Sequence, residues 1–278
     1  MALGLLEEGL SGIRAYDVML DDRNLGAQIH ARAQEAQVEL VPELSQLATW
    51  ADVLFSAVPS SVDMDVCRSV CPCLRGGQLY VDVGASTPAV KRAIWERVKE
   101  TGVLFVDAAM MGSLPLNRHR VPITASGNGA ELFRRLMTPW GMRITTVGET
   151  AGDASAIKLI RSIFMKGISA LMIETIQAAD RYGVTGEVVD SIADSLDGTP
   201  FVQHLDRLVA GSAVHCRRRA AELGGSLDLL VEAGLPSDMT AAAKRSLERL
   251  EPYQFAGRSA IKKISTAEEV VAILRGAQ

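Results

Sequence analysis

Up to about residue 148 the chain alternates short apolar runs with segments of helical rhythm. The runs are Ile13–Asp17, Val38–Val41, Val53–Val58, Leu79–Val83, Val103–Ala108, Val121–Ala125 and Ile144–Val147. Several are apolar without alternation, as in Val53-Leu54-Phe55-Ser56-Ala57-Val58. A strand reads that way when helices cover both of its faces, the situation of a parallel sheet. The stretches between the runs, Pro88–Thr101 for example, have the length of a right-handed crossover. This rhythm predicts an α/β, doubly wound domain.

After Gly148 the strands stop. Asp153 can cap a helix that continues to about Tyr182, with Gly183 as its stop signal. Further helical stretches cover Gly186–Leu196, Val202–Ala210, Ser212–Ala233 and Ser237–Leu250, with Gly234-Leu235-Pro236 separating the last two. Ser265-Thr266-Ala267-Glu268 reads as a capping box opening a final short helix. Two domains are expected: residues 1–149, α/β, and residues 150–278, all-helical, hinged near Val147–Gly152.

Composition narrows the class. The chain has 278 residues, 48 % apolar and 22 % charged, with a net charge of −4. That balance argues against a nucleic-acid partner, which needs a basic surface. No apolar run approaches the roughly 20 residues of a membrane span. The start, Met1–Gly9, carries Glu7 and Glu8 instead of a secretory signal, so a cytoplasmic protein is expected. Of four cysteines, Cys67, Cys71 and Cys73 crowd together with no histidine nearby. A zinc site wants four ligands, so free thiols on or under a helix are expected and no metal.

A doubly wound domain that binds a dinucleotide opens with a strand, then G-x-G-x-x-G, then a helix whose N-terminus faces the pyrophosphate. Here Met1–Gly9 looks like the tail of that first helix, and Ser11-Gly12 turns into the strand Ile13–Asp17. Asp17 stands where an acidic residue accepts hydrogen bonds from the adenosine ribose, a placement favouring NAD over NADP. The bland alternative is that Asp17 only ends a strand. The sequence therefore reads as an N-terminally truncated Rossmann-type sheet followed by an all-α domain. A start codon placed too far downstream, a trimmed chain or a lost cofactor function would each give this pattern. The missing central strand should leave its neighbours with unpaired edges.

Four segments in order resemble the β-hydroxyacid dehydrogenase superfamily, the 3-hydroxyisobutyrate and 6-phosphogluconate dehydrogenases. Val58-Pro59-Ser60 resembles the loop near the adenosine and pyrophosphate. Asp82-Val83-Gly84-Ala85-Ser86-Thr87-Pro88 resembles the region beside the nicotinamide ribose, which implies Gly84, Ser86 and Thr87 as cofactor contacts. Asp107-Ala108-Ala109-Met110-Met111-Gly112-Ser113 lies where the family has its substrate-binding turn. Gly152–Lys158 resembles the start of the interdomain helix carrying the catalytic lysine. The resemblance covers almost the whole chain and implies NAD or NADP, a small-molecule substrate and a homodimer formed through the helical domain. Departures are Met111 for the turn's serine, Ser113 for its second glycine, and Ser162 for the asparagine one turn beyond the lysine. Lys158–Ser162 with Lys166-Gly167, and His215–Arg219 through Pro236, resemble a branch whose C-terminal helical domain has no known function.

The chemistry these residues allow is hydride transfer assisted by an acid/base. A lysine can take or return the hydroxyl proton when burial or a nearby cation lowers its pKa. Helical spacing puts Lys158, Ser162, Lys166 and Ser169 near one stripe of an otherwise apolar helix. Lys158 is the expected acid/base; Lys166 binds a substrate carboxylate or merely faces solvent. Met111 gives a less polar substrate contact than serine or packs under the turn, and Gly112 lets a substrate approach the backbone. His119, between Arg118 and Arg120, is expected in an exposed loop, and His204 and His215 on helix surfaces. Arg217-Arg218-Arg219 reads as a solvated or dimer-rim face. The reading is an oxidoreductase for a small hydroxyacid or related carbonyl compound. Its rivals are a non-catalytic degenerate scaffold and an imine reductase.

Overall fold

The computed structural model describes residues 1–276. The chain divides into two compact units, Met1–Ile163 and Phe164 onward. The first contains α1 (Ala2–Glu7), β1 (Arg14–Ala15), α2 (Gly26–Glu35), β2 (Glu39–Leu40), α3 (Leu44–Trp50), β3 (Val53–Ser56) and α4 (Asp63–Val70). It continues with β4 (Leu79–Asp82), α5 (Pro88–Val98), β5 (Leu104–Met110), α6 (Leu114–Asn117), β6 (Pro122–Ser126), α7 (Ala130–Met137) and β7 (Arg143–Gly148). Every apolar run of the sequence forms a strand.

Strands β3 to β7 form one sheet in sequential order, while β1 and β2 pair only with each other. β4 explains the unbroken apolar runs. Leu79 and Val81 point into a core shared with Phe133 and Met137 of α7. Tyr80, between them, points to the opposite core with Ile94 and Val98 of α5. Each face of the strand meets helices, so neither tolerates a polar alternation. One strand departs from the parallel expectation: β6 runs antiparallel to β5, whereas β7 is parallel to β6. The link Met111–Val121 is shorter than the dozen or more residues a parallel crossover needs.

The helix α8 (Asp153–Tyr182) has the predicted bounds. Its cap is not the predicted one. Asp153 is its first residue, and the free N–H groups of Ala154 and Ser155 are met by Ser126 Oγ (3.0 Å) and Asp107 Oδ2 (2.9 Å). His119 also departs from expectation. It is buried, 4 % exposed, with Nε2 3.3 Å from Glu8, while Arg118 and Arg120 pair with Glu7 and Glu8. The acidic start of the chain thus binds the basic turn before β6.

The second unit carries α9 (Thr185–Leu196), α10 (Phe201–Val214), α11 (Cys216–Glu232), α12 (Asp238–Glu248), α13 (Phe255–Ile261) and α14 (Ala267–Arg275). Ala210, Ala213, Phe255 and Val270 form its small core. Three details differ from the sequence reading. The break predicted before Ser212 falls at His215, so Ser212–Val214 complete α10. The capping box is one residue later, Thr266 with Glu269. His204 is buried, not on a surface: Nε2 lies 2.8 Å from the Leu196 carbonyl and Nδ1 3.0 Å from the Arg207 guanidinium. The tautomer protonated at Nε2 satisfies both contacts. Among the described residues no helix is long and apolar enough to cross a membrane.

Candidate active site

Strand register builds the site. Ser56 of β3 lies beside Asp82 of β4, and Asp82 beside Asp107 of β5. Asp107 in turn faces Ser126 of the antiparallel β6. All four side chains are buried, forming a polar row from the carboxyl ends of β3 and β4 across the middle of β5 to the end of β6. That edge is where doubly wound sheets bind ligands. The loops leaving it carry Val58-Pro59-Ser60, Gly84–Thr87 and Met111–Ser113.

Asp107 organises the row's far end. Its Oδ1 accepts the Ser155 hydroxyl at 2.7 Å and its Oδ2 accepts the Ser155 amide. One turn later on the same helix comes Lys158, half-buried. Its ammonium is shifted below the usual lysine range, first by burial, then by repulsion from Lys91, while Asp107 pulls the other way.

Beneath the Gly84 loop lies a charge cluster with no exposed surface. Lys91 Nζ is 2.6 Å from Asp82 Oδ1 and 3.6 Å from Asp63 Oδ2. Asp63 accepts the Ser86 hydroxyl at 2.5 Å, and Asp82 accepts the Gly84 amide at 2.9 Å. Burial raises the Asp82 carboxyl, with Lys91 pulling it part of the way back. A Cβ on Gly84 would lie 3.0 Å from both carboxylates, so this loop closes over them only as glycine. Neither Lys91 nor Asp63 stood out in the sequence. The signal was there: Lys91 shares the buried stripe of α5 with Ile94 and Val98, and Asp63 that of α4 with Cys67 and Val70.

The other predicted residues are distributed as follows. Asp17 lies two residues beyond β1, which stops at Ala15, in an exposed turn, its Oδ1 accepting the Met19 amide at 2.9 Å. Pro59 and Ser60 are exposed after β3, with Val58 partly covered. Thr87 caps α5 through the Val90 amide, and Ser86 turns inward to Asp63. The Met111 amide donates to the Pro122 carbonyl at 2.7 Å, while Ser113 is exposed. A Cβ on Gly112 would meet Val121 and Asn117 at 3.3 and 3.4 Å, so its missing side chain serves packing against the following turn. Ser162 is partly covered in the first unit; Lys166 is exposed in the second.

Cys67, Cys71, Cys73 and Cys216 are free thiols. Burial pushes Cys67 up to about 12, with Cys71 adding to the shift, which keeps it from acting as a thiolate.

A doubly wound sheet with polar groups gathered at its carboxyl edge, followed by a helical unit, is the architecture of NAD(P)-binding, dehydrogenase-like proteins. Residues 1–148 match the family described as the NAD binding domain of 6-phosphogluconate dehydrogenase, and the chain belongs to that family. Residues 179–250 match a domain of unknown function. The chain is similar to a conserved protein of unknown function whose structure is described as resembling 3-hydroxyacid dehydrogenases: 30 % identity, 92 % of this chain and 93 % of the other, TM-score 0.59. A conserved hypothetical protein from Sinorhizobium meliloti 1021 shares 29 % identity over 89 % of this chain and 82 % of the other, TM-score 0.61. An imine reductase from Pseudomonas sp. shares the fold, with 20 % identity over 100 % of this chain and 94 % of the other, TM-score 0.71.

Proposed function

We propose that the protein is an oxidoreductase that moves a hydride between a nicotinamide cofactor and a small hydroxyacid or related carbonyl compound, with Lys158 as the acid/base. The observation that carries this reading is Lys158 itself. It is half-buried, one turn beyond the Ser155–Asp107 contact that fixes its helix, at the carboxyl edge of the sheet. Burial and Lys91 hold the Lys158 ammonium below the usual lysine range, which favours giving up and returning a substrate hydroxyl proton. The 30 % identical relative, described by its likeness to 3-hydroxyacid dehydrogenases, supports the substrate class.

The residues fit part of a dinucleotide. Asp17 offers an exposed carboxylate just beyond β1, suited to a ribose diol and repulsive to a 2′-phosphate, which favours NAD. Pro59 and Ser60 would line the edge near the adenosine and pyrophosphate, and Thr87 the part beside the nicotinamide ribose. No G-x-G-x-x-G lies within these 278 residues. The cofactor, when bound, supplies the hydride; the chain's own residues orient the substrate and manage the proton.

The helical unit exposes large apolar side chains, among them Met172, Ile173, Val189, Phe201 and Val202. A second copy of the chain would cover them, making a homodimer.

The test is NADH- and NADPH-dependent turnover on a panel of small hydroxyacids, oxoacids and cyclic imines. Lys158→Ala should lower kcat at least about 100-fold on the hydroxyacid that reacts. Undiminished turnover would remove Lys158 from the mechanism, and turnover of imines alone would replace the substrate class.

A further inference from the structure

The two loops that leave β3 and β4 at the carboxyl edge of the sheet are separate in sequence, yet one buried contact joins them. The first carries Pro59 and Ser60 and runs into α4, whose first residue is Asp63. The second carries Gly84–Thr87 and runs into α5, with Thr87 as its cap. Asp63 Oδ2 accepts the Ser86 hydroxyl at 2.5 Å, which ties the end of one loop to the middle of the other. Asp63 has no exposed surface and Ser86 is 3 % exposed, so water does not compete for the bond.

The residues of the second loop alternate. Gly84 and Ser86 are buried, whereas Ala85 and Thr87 are exposed. The Ser86 hydroxyl has one proton, and it is given to Asp63 instead of to a molecule at the rim. Against the same carboxylate lies the Lys91 ammonium, 3.6 Å from Asp63 and 2.6 Å from Asp82. Two buried carboxylates thus share one cation. Such a cluster is a poor source of stability, because apolar residues in place of a buried ion pair are often neutral or stabilising. What it supplies is fixed geometry: Asp82 holds the Gly84 amide at 2.9 Å, and Asp63 holds Ser86.

We propose that the Asp63–Ser86 contact is a staple that locks both loops into one rigid rim, with Lys91 and Asp82 as its base. Ser86 is then a positioning residue, not the cofactor contact that family resemblance implied. A rim set in advance spares a ligand the entropy of ordering two loops. That the ligand is a nicotinamide dinucleotide rests on the function proposed above; the staple does not.

Amide exchange on the full chain without ligand tests the staple. Ser86→Ala should speed exchange at Gly84 in its own loop and also at Val62 in the other, whose amide donates to the Pro59 carbonyl at 3.0 Å. Asp63→Ala should speed the same two amides, and it leaves Lys91 and Asp82 as a neutral pair, so no buried charge is stranded. Tyr80 and Val81 in the neighbouring strand should not change, which separates the loss of a staple from a general loosening. An unchanged Val62 in Ser86→Ala overturns the proposal. Binding of NADH and NADPH, followed by fluorescence, is the second arm. Each single substitution should weaken binding on the order of tenfold and the double variant no further, because both remove one bond. Asp63→Asn, which keeps an acceptor for Ser86, should retain most of the affinity. Losses that add would make Ser86 a direct contact and overturn the proposal. A chain that binds neither cofactor ends the oxidoreductase reading, while exchange at Val62 still decides the staple.

Discussion

A single methyl group separates Gly152 from a clash. At φ +99 its backbone lies where side chains rarely go, and a Cβ would press on the Pro88 carbonyl. Gly152→Ala should therefore destabilise by on the order of 1–3 kcal/mol, seen as a lower urea midpoint at unchanged slope. At the same scale, the proposed role of Asp17 predicts that Asp17→Ala shifts the ratio of NADH to NADPH affinity toward NADPH in a fluorescence titration, and an unchanged ratio would relieve Asp17 of that role. Lys158 drew attention in the sequence because its neighbours Gly152–Ile157 resemble a known helix start. Lys91 and Asp63 were not, because a lone charge in an apolar stripe reads as an imperfection until the three elements that bring the partners together are seen. His119 misled for the converse reason: flanked by two arginines it looked solvated, yet Glu7 and Glu8 come back to neutralise the turn.

Element boundaries were legible wherever an apolar run met a turn signal, and pairing partners were not. Periodicity gave β6 its position but carries no strand direction; the short link after β5 decided that. The helix α12 shows a cap that no local reading could find. Glu174, on α8, accepts the amides of Met239 and Thr240 and the Thr240 hydroxyl at 2.6–2.9 Å. Burial alone would raise the Glu174 carboxyl, but these three donors outweigh it and hold it below the usual glutamate value. A lowered folded value means that its contribution is complete above the ordinary glutamate pKa and is lost as pH falls through the folded one. Glu174→Ala should cost roughly 1–2 kcal/mol at neutral pH, with the gap from the unaltered chain closing in acid. A gap that stayed constant down to strong acid would deny the carboxylate its role. Among the strands, β1 and β2 share a ladder of two residues each, whereas β4 is fully buried and paired on both sides. Hydrogen exchange should follow: fast at Ala15 and Val41, slowest at Tyr80 and Val81.

For the whole molecule, the rhythm of the chain was enough to give an α/β part followed by a helical part. It left the separation of the sheet into two ladders to the structure, because hydrogen bonding between strands is not written in the periodicity of either. The apolar side chains exposed on the helical unit have a thermodynamic consequence. If a second copy covers Met172, Ile173, Phe201 and Val202, that contact exists only in the folded state, so folding and association share one equilibrium. The melting temperature should then climb as the protein is concentrated, while a monomer would melt at the same temperature at every dilution. Stability, for such a chain, is a property of the solution as much as of the molecule.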